Sequence, residues 1–239
     1  MRWIQDQLHK VEVEKREVRP EPIVVIADTT FWSREYGVTI FRSPALERNI
    51  WWDEVKRETQ AIYFYGRKIL EERGWLFLAA VVDGRRGLQT VFKDIPVQIC
   101  HFHQMKTVTT YLTRIPKTLA GQELRSIMLQ LPQSNEQEFG RLLSDWYRRW
   151  KPFISEKTYV LGTKRWHYTH KKVRSAYFSL LRNLPFLFTY QKYSELTIPN
   201  TTNSLDGMFT QLKAKLSVHR GMRKEKRFKV ISEILQGEN

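Results

Sequence analysis

The chain has 239 residues, 41% of them hydrophobic, which is enough for one large packed domain or a domain with an insertion. Lys and Arg number 40 against 25 Asp and Glu, a formal charge of +15 with an isoelectric point of 9.9, and a balance this basic points to a polyanionic partner, most often nucleic acid. The single cysteine, Cys100, excludes an internal disulfide framework, and no apolar run approaches the roughly 20 residues that span a bilayer. A reducing cytoplasm is therefore the expected compartment, and Met1 to Asp6 carry no signal-peptide core.

Residues 1–22 are highly charged and end in Pro20-Glu21-Pro22, which predicts a short helix or arm stopped by the prolines. Ile23-Val24-Val25-Ile26-Ala27-Asp28 reads as a short buried strand with a carboxylate at its end. Two further strands are expected over 36–41 and 48–52, joined by a turn around Ser43-Pro44. From Asp53 to Arg73 apolar residues recur at helical spacing, through Val55, Ile62, Tyr63, Ile69 and Leu70, and Gly74 should end that helix. Residues 75–83 read as the next strand, ending in Asp83. A short helix over 87–92 and a fifth strand over 97–101 follow, and another helix begins near Gln104.

Three consecutive strands predict an antiparallel meander, and strands alternating with helices predict parallel additions to the same sheet. The expected fold is thus α/β, a mixed five-stranded sheet flanked by helices. Residues 110–195 read differently. Phe139, Leu142, Leu143, Trp146 and Tyr147, then Val173, Tyr177, Leu180 and Leu181, are helically spaced, so this stretch is expected to be a mainly helical insertion. The segment 202–236 reads as helix broken near His219-Arg220-Gly221. The resulting division is an arm at 1–22, a core over 23–109 and 196–239, and the insertion at 110–195.

Asp28 and Asp83 each end an apolar strand, and Asp206 follows Thr202-Asn203-Ser204-Leu205 at the start of a late helix. Two carboxylates at the rim of a sheet, with a third from a distant helix, can hold divalent cations for phosphoryl transfer. Any of Thr201, Thr202 and Asn203 can cap the helix that presents Asp206. Cys100 and His103 form a Cys-x-x-His pair, but with no other cysteine a tetrahedral zinc site lacks ligands. Lys213, Lys215, His219, Arg220 and Arg223 form a basic stripe suited to phosphates. Lys164, Arg165 and Trp166, with Lys171 and Lys172, form a second cluster interleaved with aromatics, which either stack on exposed bases or pack the insertion.

Four motifs stand in order: Val82-Asp83-Gly84-Arg85-Arg86-Gly87-Leu88, Cys100-His101-Phe102-His103-Gln104, Thr202-Asn203-Ser204-Leu205-Asp206-Gly207 and His219-Arg220-Gly221-Met222. Together, over roughly residues 22–230, they resemble DDE transposases of the Mutator-like bacterial insertion-sequence group. The resemblance implies a ribonuclease H-like catalytic core that cleaves and joins DNA at transposon ends. It implies Mg²⁺, with Mn²⁺ as a substitute, bridged by Asp28 and completed by Asp83 in one site and Asp206 in the other. It places Cys100, His103 and Asn203 in support around the acids. It also implies DNA, both transposon ends and target, as partner, a homodimer or larger assembly on that DNA, no membrane, no small-molecule substrate, and a bacterial, nucleoid-associated location. The chain departs from the pattern at Asp206, where the group usually has Glu. Aspartate is one methylene shorter, which requires the helix to sit nearer the metals, and Glu195 is the alternative third acid. The group also carries a DNA-binding region ahead of the first acid, of which the arm at 1–22 would be the remnant. A decayed DNA-binding copy and a ribonuclease H-like nuclease are the competing expectations.

Overall fold

The computed structural model describes residues 19–34, 36–85, 87–217 and 222–237. The elements in chain order are β1 (Pro22–Ser33), β2 (Tyr36–Ser43), β3 (Arg48–Val55), α1 (Gln60–Glu72), β4 (Leu76–Val82), α2 (Leu88–Val91), β5 (Val97–Ile99) and α3 (His101–Leu112). There follow α4 (Leu119–Leu129), α5 (Glu136–Ser155), β6 (Lys157–Tyr159), β7 (Trp166–Tyr168), α6 (Lys171–Leu187), α7 (Thr189–Lys192), α8 (Asn203–Ser217) and α9 (Lys224–Gly237). They form two compact units. One spans Val97–Thr201, and the other is built from the chain on either side of it.

The main sheet has the order β3-β2-β1-β4-β5. β1 pairs antiparallel with β2 and parallel with β4, and β2 pairs antiparallel with β3. This is the mixed five-stranded, helix-flanked sheet expected for a ribonuclease H-like fold. β1 lies at its centre, which is why Ile23 to Asp28 are all buried although the run does not alternate. The unit on either side of Val97–Thr201 buries Val25, Ile26, Val38, Ile40, Phe41, Tyr63, Leu70, Val81 and Phe92. Helix α1 lays Tyr63, Gly66 and Leu70 against this core. Gly66 is required there, because a Cβ at that position would lie 2.6 Å from the Trp51 ring. Gly74, at φ 91°, ends the helix as expected, its N–H and that of Trp75 donating to the carbonyls of Glu71 and Leu70. Helix α9 is tied to β3 where the Trp52 indole donates to Ser232 Oγ (3.0 Å) and the Asn49 amide to the Leu235 carbonyl (3.2 Å).

The largest differences from the sequence reading lie at element boundaries. β1 does not stop at Asp28 but runs to Ser33, because Asp28 through Phe31 and, past a bulge at Trp32, Ser33 pair along β2. β3 runs to Val55, paired with Gly37, so the following helix starts at Gln60 rather than near residue 53. Helix α3 starts at His101, three residues before Gln104, which shortens β5 to Val97–Ile99.

The unit Val97–Thr201 packs α3 to α6 around Leu124, Met128, Phe139, Leu143, Trp146, Leu180 and Phe188. Thr118 and Asn135 cap α4 and α5 by accepting the N–H groups of Gly121 and Glu138. Its buried polar groups satisfy one another: the Gln104 amide donates to Ser179 Oγ (3.2 Å) and the Asn183 amide to Gln104 Oε1 (2.7 Å). The mainly helical reading of this stretch missed one element. β6 and β7 form an antiparallel hairpin between α5 and α6. With three residues per strand it is too short for a period-2 signal to stand out.

Candidate carboxylate metal site

Strand register brings the first two acids together. In the parallel pair Ile26 lies opposite Val81. Asp28 and Asp83 each stand two residues further on, so they reach the same level and the same face of the sheet. β4 has ended at Val82, which leaves Asp83 in the loop beyond, its side chain 17% exposed. Asp28, by contrast, is held within β1 opposite Ile40 and is only 5% exposed.

Glu58 joins them, a residue the sequence did not single out. Asp28, Glu58 and Asp83 each offer a carboxylate oxygen within 4.8 Å of the other two. Read as helix, the stretch from residue 53 makes Glu58 an ordinary acid of the second turn, one more charge on a solvated helix face. Only the pairing of β3 as far as Val55 leaves Glu58 on a connecting segment, where its side chain is buried to 4% exposure.

A hydrogen-bonded chain braces these groups. Thr39 and Thr29 share a hydroxyl hydrogen bond (2.7 Å), Thr29 meets the Tyr63 hydroxyl (2.9 Å), and Tyr63 donates to Glu58 Oε1 (2.6 Å). Burial, reinforced by Glu58 and Asp28 nearby, pushes the Tyr63 hydroxyl well above its ordinary value of 10. It therefore stays protonated and remains a donor. On the other side Arg85 pairs with Glu58 Oε2 (2.8 Å), approaches Asp83 Oδ2 (3.8 Å), and donates its backbone N–H to Asp83 Oδ1 (2.9 Å). Asp28 Oδ1 accepts the N–H of Thr29 (2.8 Å).

Asp206 reaches the same centre from α8. One of its carboxylate oxygens lies within 4.8 Å of one of Asp28's. Buried Thr202, immediately before the helix, donates its hydroxyl to Asp206 Oδ2 (3.2 Å), while its carbonyl accepts the N–H groups of Leu205 and Asp206. This holds the short side chain in one direction. Asn203 opens the helix and is exposed. Glu195 lies exposed in the 3-10 turn Ser194–Leu196 of the other unit.

The donors fit a hard divalent cation: they are carboxylate oxygens, close together and largely withdrawn from solvent. Asp28 is common to the Glu58–Asp83 group and to the pair with Asp206. Such a set can hold a divalent cation.

Cys100 is fully buried, immediately before α3, and His103 is half-buried in the first turn of that helix. Lys213 and Lys215 are exposed on α8, and Arg223 is exposed just before α9. His219 and Arg220 lie outside the described residues. Lys164, Arg165 and Trp166 are on the hairpin, and Lys171 and Lys172 open α6; all five are exposed.

No family model matches this sequence, and no curated protein matches it either. Among solved structures the chain is similar to one described as a Drosophila P element transposase strand transfer complex. The similarity covers 98% of this chain and 80% of that one, at 12% sequence identity and a TM-score of 0.38. Among the described residues no helix is long and apolar enough to cross a membrane.

Proposed function

We propose that this chain is the catalytic core of a DDE-type transposase, one of the Mutator-like insertion-sequence group, acting on DNA with Mg²⁺. The observation that supports it most is the sharing of Asp28 between Glu58 and Asp83 on one side and Asp206 on the other. Bound there, divalent cations would favour in-line attack on a phosphodiester and neutralise the charge on the leaving oxygen.

The chain's own residues do the positioning. Asp28, Asp83 and Asp206 would hold the cations, with Asp28 fixed in a central strand. Glu58 adds a carboxylate that Tyr63 and Arg85 keep in place. Thr202 aims Asp206, which answers the loss of one methylene relative to Glu. Arg85 also keeps positive charge beside the acids, where an incoming phosphate backbone can meet it. The basic residues of α8, Lys213 and Lys215, and Arg223 before α9 are assigned to phosphate contacts, as is the surplus charge of +15. The partner is DNA, the working state a homodimer or larger on paired ends, and the location the bacterial nucleoid.

The test is Mn²⁺ binding by electron paramagnetic resonance, run beside cleavage and strand transfer on supercoiled DNA. Asp28→Asn should abolish both binding and cleavage. Full Mn²⁺ binding in Asp28→Asn, or wild-type cleavage in Asp83→Asn, would overturn the assignment. Cleavage of RNA–DNA hybrid without strand transfer would move the chain to the nucleases of the same fold.

A further inference from the structure

Outside the carboxylate site, the most unusual surface is the β6–β7 hairpin. Its strands pair Lys157 with Tyr168 and Tyr159 with Trp166, so these four side chains share one face. The Lys157 ammonium lies 4.0 Å from the Trp166 ring centre, and the Arg174 guanidinium lies 3.9 Å from that of Tyr168. Two of the three rings thus already carry a cation. The base of the hairpin is pinned to the helices, where His170 stacks on Phe153 at 3.5 Å and meets Glu156 Oε2 at 2.9 Å.

The far end differs. Tyr159 is 67% exposed, Val160 45% and Leu161 100%. The tip is nonetheless closed: the Val160 N–H donates to the Arg165 carbonyl (2.9 Å), and the Thr163 hydroxyl donates to the Val160 carbonyl while accepting the Arg165 N–H. A bare apolar tip on a short two-stranded ribbon raises the question of its occupant, and charge answers it. From residue 157 to 174 the chain has Lys157, Lys164, Arg165, Lys171, Lys172 and Arg174, and no Asp or Glu. An apolar protein surface would not select that rim; a polyanion with stacked apolar faces inside it would.

We propose that this hairpin is a DNA wedge. Its cations bind backbone phosphates on both sides of a duplex, and Tyr159 and Leu161 insert at a weakened base step and unstack it. A two-stranded ribbon matches groove dimensions, and apolar side chains that enter between base pairs kink the duplex. The inference rests on the DNA reading above and adds what this unit does with the DNA.

The experiment uses the full chain and a 30-base-pair duplex carrying 2-aminopurine beside a single mismatch, in EDTA so that no strand is cut. Binding of the wild type should raise 2-aminopurine emission severalfold. The double variant Tyr159→Ser, Leu161→Ser should bind within about threefold of wild type yet lose the rise, because insertion and phosphate contact are separate terms. Lys164→Glu with Arg165→Glu should weaken binding about tenfold or more and flatten its salt dependence. An unchanged circular dichroism spectrum and melting temperature establish that each variant folds. The wedge is overturned if the wild type has no DNA affinity, binds without a rise, or gives a rise that survives the tip substitutions. It is also overturned if sedimentation without DNA shows the tip variants losing a dimer, which would assign the tip to a second copy. If the wild type unstacks DNA but never cuts it in Mn²⁺, the catalytic reading fails while the wedge stands.

Discussion

The two units handle charge in opposite ways. The sheet-based unit places it inside. Asp28 and the Glu58 side chain are withdrawn from water, Tyr63 and Arg85 hold Glu58, Arg85 holds Asp83, and Thr202 holds Asp206. The helical unit keeps charge outside, in a run of cations from 157 to 174, and fills its interior with apolar side chains and a closed Gln104–Ser179–Asn183 network. The lesson concerns tolerance. A desolvated carboxylate acts over a few ångströms and needs partners on every side. An exposed lysine acts through a screened field that its neighbours share.

The comparison would break first at single substitutions. Asp28→Asn or Asp83→Asn should each lower DNA cleavage by about a thousandfold or more. Lys164→Ala should lower DNA affinity by only about two- to threefold, one contact among several. Comparable losses in a cleavage and binding series would mean that the basic surface is no less exacting than the acids. Next comes packing. Leu124→Ala in the helical core should cost about 2 to 5 kcal/mol, read from urea unfolding. Gly66→Ala in the sheet unit should cost about 1 to 3 kcal/mol, since the added methyl meets the Trp51 ring and the buried indole has little room to yield. A neutral Gly66→Ala would show that the contact between α1 and β3 is looser than drawn.

The smallest effect is a dependence on pH. His101 is buried in the helical unit between Phe188 and Tyr190, with its Nε2–H donating to the Leu187 carbonyl (2.6 Å). Burial lowers its pKa from the ordinary 6.5, so the folded state disfavours the proton that the unfolded chain accepts. Its contribution to stability is therefore complete above about pH 6.5 and declines as the pH falls below that value. His101→Gln keeps a donor for Leu187 and should flatten this slope in thermal melts between pH 7 and pH 5. An unchanged slope would place the titration elsewhere.

Much of this was legible in one dimension. The Val- and Ile-rich runs marked the strands, Gly74 marked a helix end, and their order marked a mixed sheet, because burial on both faces of a central strand and a left-handed helix stop leave local signatures. Asp83 at the close of its run belongs with these. Other features were not local. That Asp28 lies within a strand was decided by β2, whose hydrogen bonds carry β1 on to Ser33. Glu58 became a partner of the acids because β3 pairs through Val55 and delays the helix. The register of Ile26 against Val81 put Asp28 level with Asp83, and the packing of α8 brought Asp206 near Asp28. The hairpin at 157–168 was too short to announce itself. The sequence by itself determined which segments prefer to be strand or helix and where charge is abundant, since these depend on residues a few positions apart. Which carboxylates meet was left to the tertiary structure, because strand pairing and register are set by hydrogen bonds between segments far apart in the chain.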